Sequence, residues 1–193
     1  MRGRRRPSQR KVDSGKPILG VDIDNVLAES DARLRAMIRE MFGIRLKEHQ
    51  MTRYEYMAYG VTEEQLIQVF RVFNVEACRT LKVVPGAKAA LIRLARRYEI
   101  ALVTSRNPES KAGTEYWLHA KGLPYDQLHF NDDKHALGIP YHAFVEDRHE
   151  HAHRIAETGA TVYLLTRPWN AHPLAHPNVR RVHTWDEILE HLL

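Results

Sequence analysis

Asp22 and Asp24 stand two residues apart at the end of a short apolar run, residues 17–23, and Glu146 and Asp147 close another, residues 142–146. Thr104 ends a third run, residues 99–104, and is followed by Ser105 and Arg106, while Lys134 lies in the polar connection Asn131-Asp132-Asp133-Lys134. Two acids on one strand end and an acidic pair on another can hold a hard divalent cation. Mg2+ takes one or two carboxylates, several waters and a substrate phosphate. A hydroxyl and an ammonium group nearby would neutralise the other phosphoryl oxygens. The set suits phosphoryl transfer, provided the fold brings its members to one place.

The elements predicted by periodicity can do so. Residues 17–23 read as a buried strand of a parallel sheet. Helical spacing follows over 29–42, with Leu34, Met37, Ile38, Met41 and Phe42 on one face and Gly43 as a stop. After the aromatic stretch 52–60, Thr62 and Gln65 have capping-box spacing and open a second amphipathic helix to about Asn74. A third helix is predicted over 86–97. The chain then alternates: strand 99–104, helix 109–121, strand 127–130, a helical turn at 132–137, strand 142–146, helix 149–158, strand 161–165, strand 179–183 and helix 185–192. Strands alternating with helices imply an α/β fold with a parallel sheet and right-handed crossovers. In such a sheet chemistry collects at the carboxyl ends of the strands, which is where the acids, Thr104 and Ser105 fall. The expected domains are a core of residues 17–28 and 83–193, a small helical cap of residues 29–82 inserted after the first strand, and a tail of residues 1–16.

Charge is unevenly spread. The 193 residues carry a formal net charge of +5, yet residues 2–16 hold seven Lys or Arg and one Asp, and the rest of the chain is close to neutral. Without apolar period, the tail is expected to be disordered. It is weakly suited to nucleic acid, and the remaining surface gives little reason to expect that partner. One cysteine, Cys78, rules out an intramolecular disulfide framework and fits a reducing, cytoplasmic setting. No apolar run approaches the roughly 20 residues that span a bilayer, and no apolar segment follows the basic start as in a secretory signal.

On these residues the chain resembles the haloacid dehalogenase (HAD) phosphatase superfamily. Asp22-Ile23-Asp24-Asn25-Val26 is similar to its first motif, Thr104 to its second, Lys134 to its third and Glu146-Asp147 to its acidic fourth. Within it the chain looks most like the 5′(3′)-deoxyribonucleotidases and related bacterial nucleotidases, on the segments 20–28, 103–106, 128–134, 144–149 and Leu165-Thr166-Arg167-Pro168-Trp169-Asn170. It departs in two places: Asn25 stands where many members have Gly, and Glu146 replaces the first acid of a frequent Asp-Asp pair.

The resemblance implies a Rossmann-like HAD fold and a Mg2+-dependent phosphomonoesterase acting on a small phosphorylated substrate, most plausibly a nucleoside monophosphate. Asp22 would be the nucleophile, and Asp24 the acid and then the base. Asp22, the Asp24 carbonyl and Asp147 would bind the metal. Thr104, Ser105, Lys134 and the backbone near Asn25 would hold the phosphoryl group. Glu146 would orient a metal-bound water, and Arg106 would contact phosphate or sugar. Tyr54, Tyr56, Tyr59, Phe70 and Phe73 in the cap can offer a stacking surface for a base, although the spacing of Phe70 and Phe73 equally suits helix packing. Two alternatives stay open: the same fold acting on a sugar phosphate or a nucleic-acid 3′-phosphate, and a non-catalytic nucleic-acid or partner-binding protein. The run His149-Glu150-His151-Ala152-His153 is expected to be a solvated helix face.

Overall fold

The computed structural model describes residues 15–193. The disorder expected of the basic tail falls on residues 1–14, outside the described residues, apart from Gly15 and Lys16. The sheet has six strands: β1 (Ile18–Val21), β2 (Glu99–Thr104), β3 (Gln127–Phe130), β4 (Tyr141–Glu146), β5 (Thr161–Leu165) and β6 (Val179–Val182). Every pairing is parallel, in the order β3-β2-β1-β4-β5-β6. This is the α/β parallel sheet that the alternation predicts. The strand order reverses beside β1, and the two central strands β1 and β4 carry Asp22 and Glu146 at their carboxyl ends.

Helices cover both faces because alternate residues of a strand point to opposite sides. Ile100 and Leu102 of β2 join one apolar cluster, with residues of α3 (Ala87–Leu94), α4 (Lys111–Lys121) and α6 (Trp185–Leu192). Ala101 and Val103 join the other, with Ala152, Ile155 and Ala156 of α5 (His149–Glu157). Gly20 permits the closest approach inside the sheet: a Cβ there would stand 2.1 Å from Phe144 Cδ2.

Residues between β1 and α3 form α1 (Ser30–Phe42), α2 (Glu63–Val75) and short 3-10 turns at Glu48–Gln50, Tyr56–Tyr59 and Ala77–Arg79. Thr62 and Gln65 make the reciprocal capping box that their spacing predicts. The two passages joining this segment to the sheet run side by side, with Glu29 N–H bonded to Lys82 O at 2.9 Å and Val84 N–H to Leu27 O at 2.8 Å. Several predicted boundaries shift, the first strand among them, which runs 18–21 rather than 17–23. The third helix stops at Leu94 rather than 97. The helix expected from 109 begins as a 3-10 turn at Pro108–Ser110, where the Asn107 side chain accepts the Glu109 N–H and Pro108 favours a first turn.

Candidate active site

Asp22 follows β1 directly, and its N–H bonds Val145 O at 3.0 Å, which ties the start of the loop to β4. The chain then turns tightly: Asn25 N–H donates to Ala28 O at 2.7 Å and Leu27 N–H to Ile23 O at 2.9 Å. The turn needs a left-handed residue, and Asn25 takes it with φ of 61°. Asn tolerates this region better than most side chains. Its side-chain oxygen also accepts the Asp31 N–H at 2.8 Å, pinning the start of α1, and its carbonyl accepts from Arg167 Nη2 at 2.5 Å and Nε at 3.0 Å. The N–H, carbonyl and side-chain oxygen of Asn25 are thus all engaged with internal partners.

Lys134 crosses from its 3-10 turn to stand 2.8 Å from both Asp22 Oδ1 and Glu146 Oε2. It is 2% exposed, and an ammonium that deep must be paired. Glu146 Oε1 accepts the N–H groups of Asp147 and Arg148 at 3.2 Å each. Burial resists ionisation of Glu146, but Lys134 and His151 together outweigh it and hold the carboxyl down at about 2. Asp22 goes the other way: burial, with Glu146 and Asp24 close by, pushes it up to about 7 despite Lys134. Asp147 is likewise raised by burial, then by Glu146 and Asp22.

Asp22, Glu146 and Asp147 offer one ligand atom each within 4.8 Å of one another. Three buried carboxylates share a single ammonium, and Asp147 makes no ion pair among the described residues. All-oxygen donors with excess negative charge fit a hard divalent cation. The cluster holds the Asp22 and Asp147 carboxylates of the expected set together with Glu146, while the Asp24 carboxylate faces elsewhere. Asp24 is gripped by Arg106 through Nη2 to Oδ1 at 2.7 Å and Nε to Oδ2 at 2.9 Å, and it also accepts from Ser30. Burial opposes its ionisation, but Arg106 and Ser30 prevail and hold it below the usual range. The Thr104 hydroxyl faces the same carboxylate at 3.4 Å.

A cavity of about 370 Å³ opens from this group, lined by Asp24, Ser105, Arg106, Tyr54, Tyr56, Phe70, Phe73 and Arg148 among others. The predicted cap residues thus do meet the loop, with two distinctions. Tyr56 donates its hydroxyl to Asp31 Oδ1 at 2.8 Å, so its polar end is committed. Tyr59 lies off the cavity and accepts the Arg53 N–H at 2.7 Å. Phe73 is buried and Phe70 half-exposed, so packing and lining are shared between them.

Arg148 and Asn170 escaped the sequence reading, whereas Trp169, which follows a strand end, reads equally as flanking the pocket or packing its loop. Arg148 lies 4.3 Å from the Tyr54 ring centroid. Asn170 Nδ2 donates to Asp147 O at 2.7 Å, and Trp169 Nε1 to Asp147 Oδ2 at 3.1 Å. The segment 165–170 was part of the resemblance, but nothing in it announces contact with Asp147. The helix face expected to be solvated is also corrected. His151 is 6% exposed with Nδ1 3.7 Å from Glu146 Oε1, and His149 Nδ1 lies 2.6 Å from His172 Nε2. His153 alone of the three is exposed.

The fold is that of the haloacid dehalogenase-like hydrolases. A solved hydrolase of that family from Streptococcus pneumoniae matches with a TM-score of 0.65 at 14% identity, covering 93% of this chain and all of that one. A HAD family hydrolase from Deinococcus radiodurans R1, solved with bound phosphate and sodium, matches with a TM-score of 0.60 at 18% identity, covering 91% and 94% of the two chains. More narrowly, residues 16–193 match the family described as "5' nucleotidase, deoxy (Pyrimidine), cytosolic type C protein", and the chain belongs to that family of hydrolases. Among curated proteins, "Putative nucleotidase BH1399" of Halalkalibacterium halodurans is 26% identical over 178 residues, 87% of this chain and 88% of its own. "Putative 5'(3')-deoxyribonucleotidase" of Chlorobaculum tepidum is 24% identical over 166 residues, 80% and 81% of the two chains.

Proposed function

We propose that the protein is a cytoplasmic, Mg2+-dependent phosphomonoesterase that hydrolyses nucleoside or deoxynucleoside monophosphates through a phosphorylated Asp22. The reading is carried above all by Lys134, whose ammonium sits 2.8 Å from both Asp22 and Glu146 at the carboxyl ends of adjacent central strands, beside Asp147. A cation held by Asp22 and Asp147, with the Asp24 carbonyl, would offset the charge that an anionic nucleophile meets at an anionic phosphate.

In the first step an Asp22 oxygen attacks phosphorus, the bond to the leaving oxygen breaks, and Asp24 supplies the proton to that oxygen. In the second, water attacks the phosphorus, Asp24 takes up its proton, and phosphate leaves with Asp22 regenerated. Lys134, Thr104 and Ser105 hold the phosphoryl oxygens. Glu146 orients Lys134 and the backbone of 147–148. Arg106 keeps Asp24 ionised in the free protein, so the proton that Asp24 passes to the first leaving oxygen comes from solvent as the arriving substrate loosens that grip, and in later cycles from the attacking water. Residues 29–82 form the cap, and Tyr54, Tyr56 and Phe70 give the cavity a surface on which a base can stack. The aromatic lining favours a nucleoside over a bare sugar as the leaving group.

The test is a hydrolysis screen over nucleoside monophosphates, sugar phosphates and an aryl phosphate, with Mg2+ and then with a chelator. Turnover of nucleoside monophosphates that vanishes on chelation is expected. Failure to release phosphate from any of them would overturn the proposal.

A further inference from the structure

We propose that Trp169 is a positioning residue whose indole N–H fixes the Asp147 carboxylate for cation binding, with Tyr54 holding the indole in place. The inference rests on the reading of Asp22, Glu146 and Asp147 as a cation site.

The carboxylates of the site differ in what already holds them. Asp24 has Arg106, and Glu146 has Lys134 and two backbone N–H groups. Asp147 makes no ion pair among the described residues, Lys134 and Arg167 acting on it only from a distance, and the side-chain donor bonded to it is Trp169, with Nε1 3.1 Å from Oδ2 and 3.2 Å from the Asp147 carbonyl. A neutral donor sets the direction of a carboxylate without pairing it. Asp147 is thereby aimed with no ion pair for a cation to displace.

The indole is in turn fixed from two sides. Trp169 belongs to the short turn Pro168–Asn170, which Asn170 braces. Its Nδ2 donates to Asp147 O at 2.7 Å and Leu165 O at 2.8 Å, and its Oδ1 accepts from Arg167 N at 2.9 Å and Arg181 Nη1 at 3.1 Å. On the other side the Tyr54 ring meets Trp169 edge-on at 6.0 Å, and Tyr54 also carries the Arg148 guanidinium. Arg148 directly follows Asp147, so Asp147, Trp169, Tyr54 and Arg148 form a closed circuit of contacts. It joins the end of β4, the turn after β5 and the segment between β1 and α3. Partners that orient ligating side chains typically contribute about 10–100-fold to metal affinity.

The test is calorimetric titration of Mg2+ into the full chain and into Trp169→Phe, which keeps an aromatic ring beside Tyr54 and removes the N–H together with the five-membered ring that carries it. A loss of roughly 10–100-fold in Mg2+ affinity is expected, with Tyr54→Ala weakened in the same direction and by less. Trp169→Phe at wild-type affinity would overturn the role of Trp169 alone, whereas a wild-type chain that binds no Mg2+ would overturn the cation reading beneath it. Should the variant not fold, the wild-type indole N–H resonances decide. The Trp169 signal is expected to move on saturation with Mg2+ while that of Trp117, bonded to Leu81 O at 2.8 Å, serves as the fixed reference. An unmoved Trp169 signal at saturation contradicts the proposal.

Discussion

The Arg106 guanidinium closes on the Asp24 carboxylate with its Nη2 2.7 Å from Oδ1 and its Nε 2.9 Å from Oδ2, while its Nη1 donates to Thr114 at 2.9 Å. The arginine is 7% exposed and runs from the end of β2 to the loop after β1. It thus joins the ends of β1 and β2 to α4. Arg106→Ala leaves a carboxylate without its partner, at a cost of about 3 kcal/mol, the lower end for a buried pair because the Asp24 side chain keeps 19% exposure. Arg106→Lys keeps the charge but not the fork and is expected to fall in between. Denaturant unfolding of the three proteins checks this, and equal stabilities would refute the brace.

Phe70 lines the cavity at 39% exposure, so its removal should disturb binding more than folding. If a base stacks there, the contact is worth about 1–3 kcal/mol. Phe70→Ala is expected to raise KM for a nucleoside monophosphate roughly tenfold, with little change for a sugar phosphate and a nearly unchanged Tm. Steady-state kinetics on both substrates makes the comparison. An equal effect on the two would place the base elsewhere.

Gly20 offers a purely structural check. An added Cβ would meet Phe144 Cδ2 at 2.1 Å and Cε2 at 2.4 Å inside the sheet. Gly20→Ala is expected to destabilise by about 3 kcal/mol, as overpacking does. Adding Phe144→Leu should recover part of the loss, since neighbouring sites couple. Additive losses in the double variant would contradict the contact.

Stability should depend on pH in opposite senses at the two ends of the site. Asp24 and Glu146 are depressed below their unfolded values, so their contribution is fully present above about pH 4.5 and is lost as pH falls through their folded values, about 2 for Glu146. Asp22 is raised from 3.8 to about 7, so the folded state binds the extra proton and the metal-free protein loses stability as pH climbs through that interval. A cation that keeps Asp22 ionised removes this penalty. Mg2+ is therefore expected to raise Tm more at about pH 8 than at about pH 5. Thermal melts in Mg2+ and in chelator would show it, and a shift independent of pH would count against the assignment.

Much of this was legible in the sequence because the signals were local. Apolar runs with acids at their ends marked β1 and β4, and Thr62 with Gln65 marked the start of α2. What escaped detection depends on contacts distant in the chain. Arg106 and Asp24 are 82 residues apart, and Trp169 and Asp147 are 22 apart, so no periodicity joins either pair. His151 is different: it lies five residues from Glu146, yet polar residues read as a solvated face until the end of β4 brings Glu146 against the helix. The left-handed backbone of Asn25 and the bond of its side chain to the start of α1 likewise follow from the folded loop and not from spacing.

The central claim is that Asp22 is the group that receives the phosphoryl. The most direct measurement is intact-protein mass spectrometry of enzyme quenched in acid during turnover of a nucleoside monophosphate with Mg2+, followed by peptide mapping. The account predicts one phosphoryl group on Asp22 in the wild type, and none in a folded Asp22→Asn variant that also fails to turn over. A fully active Asp22→Asn, or a phosphoryl group found on another residue, would contradict it.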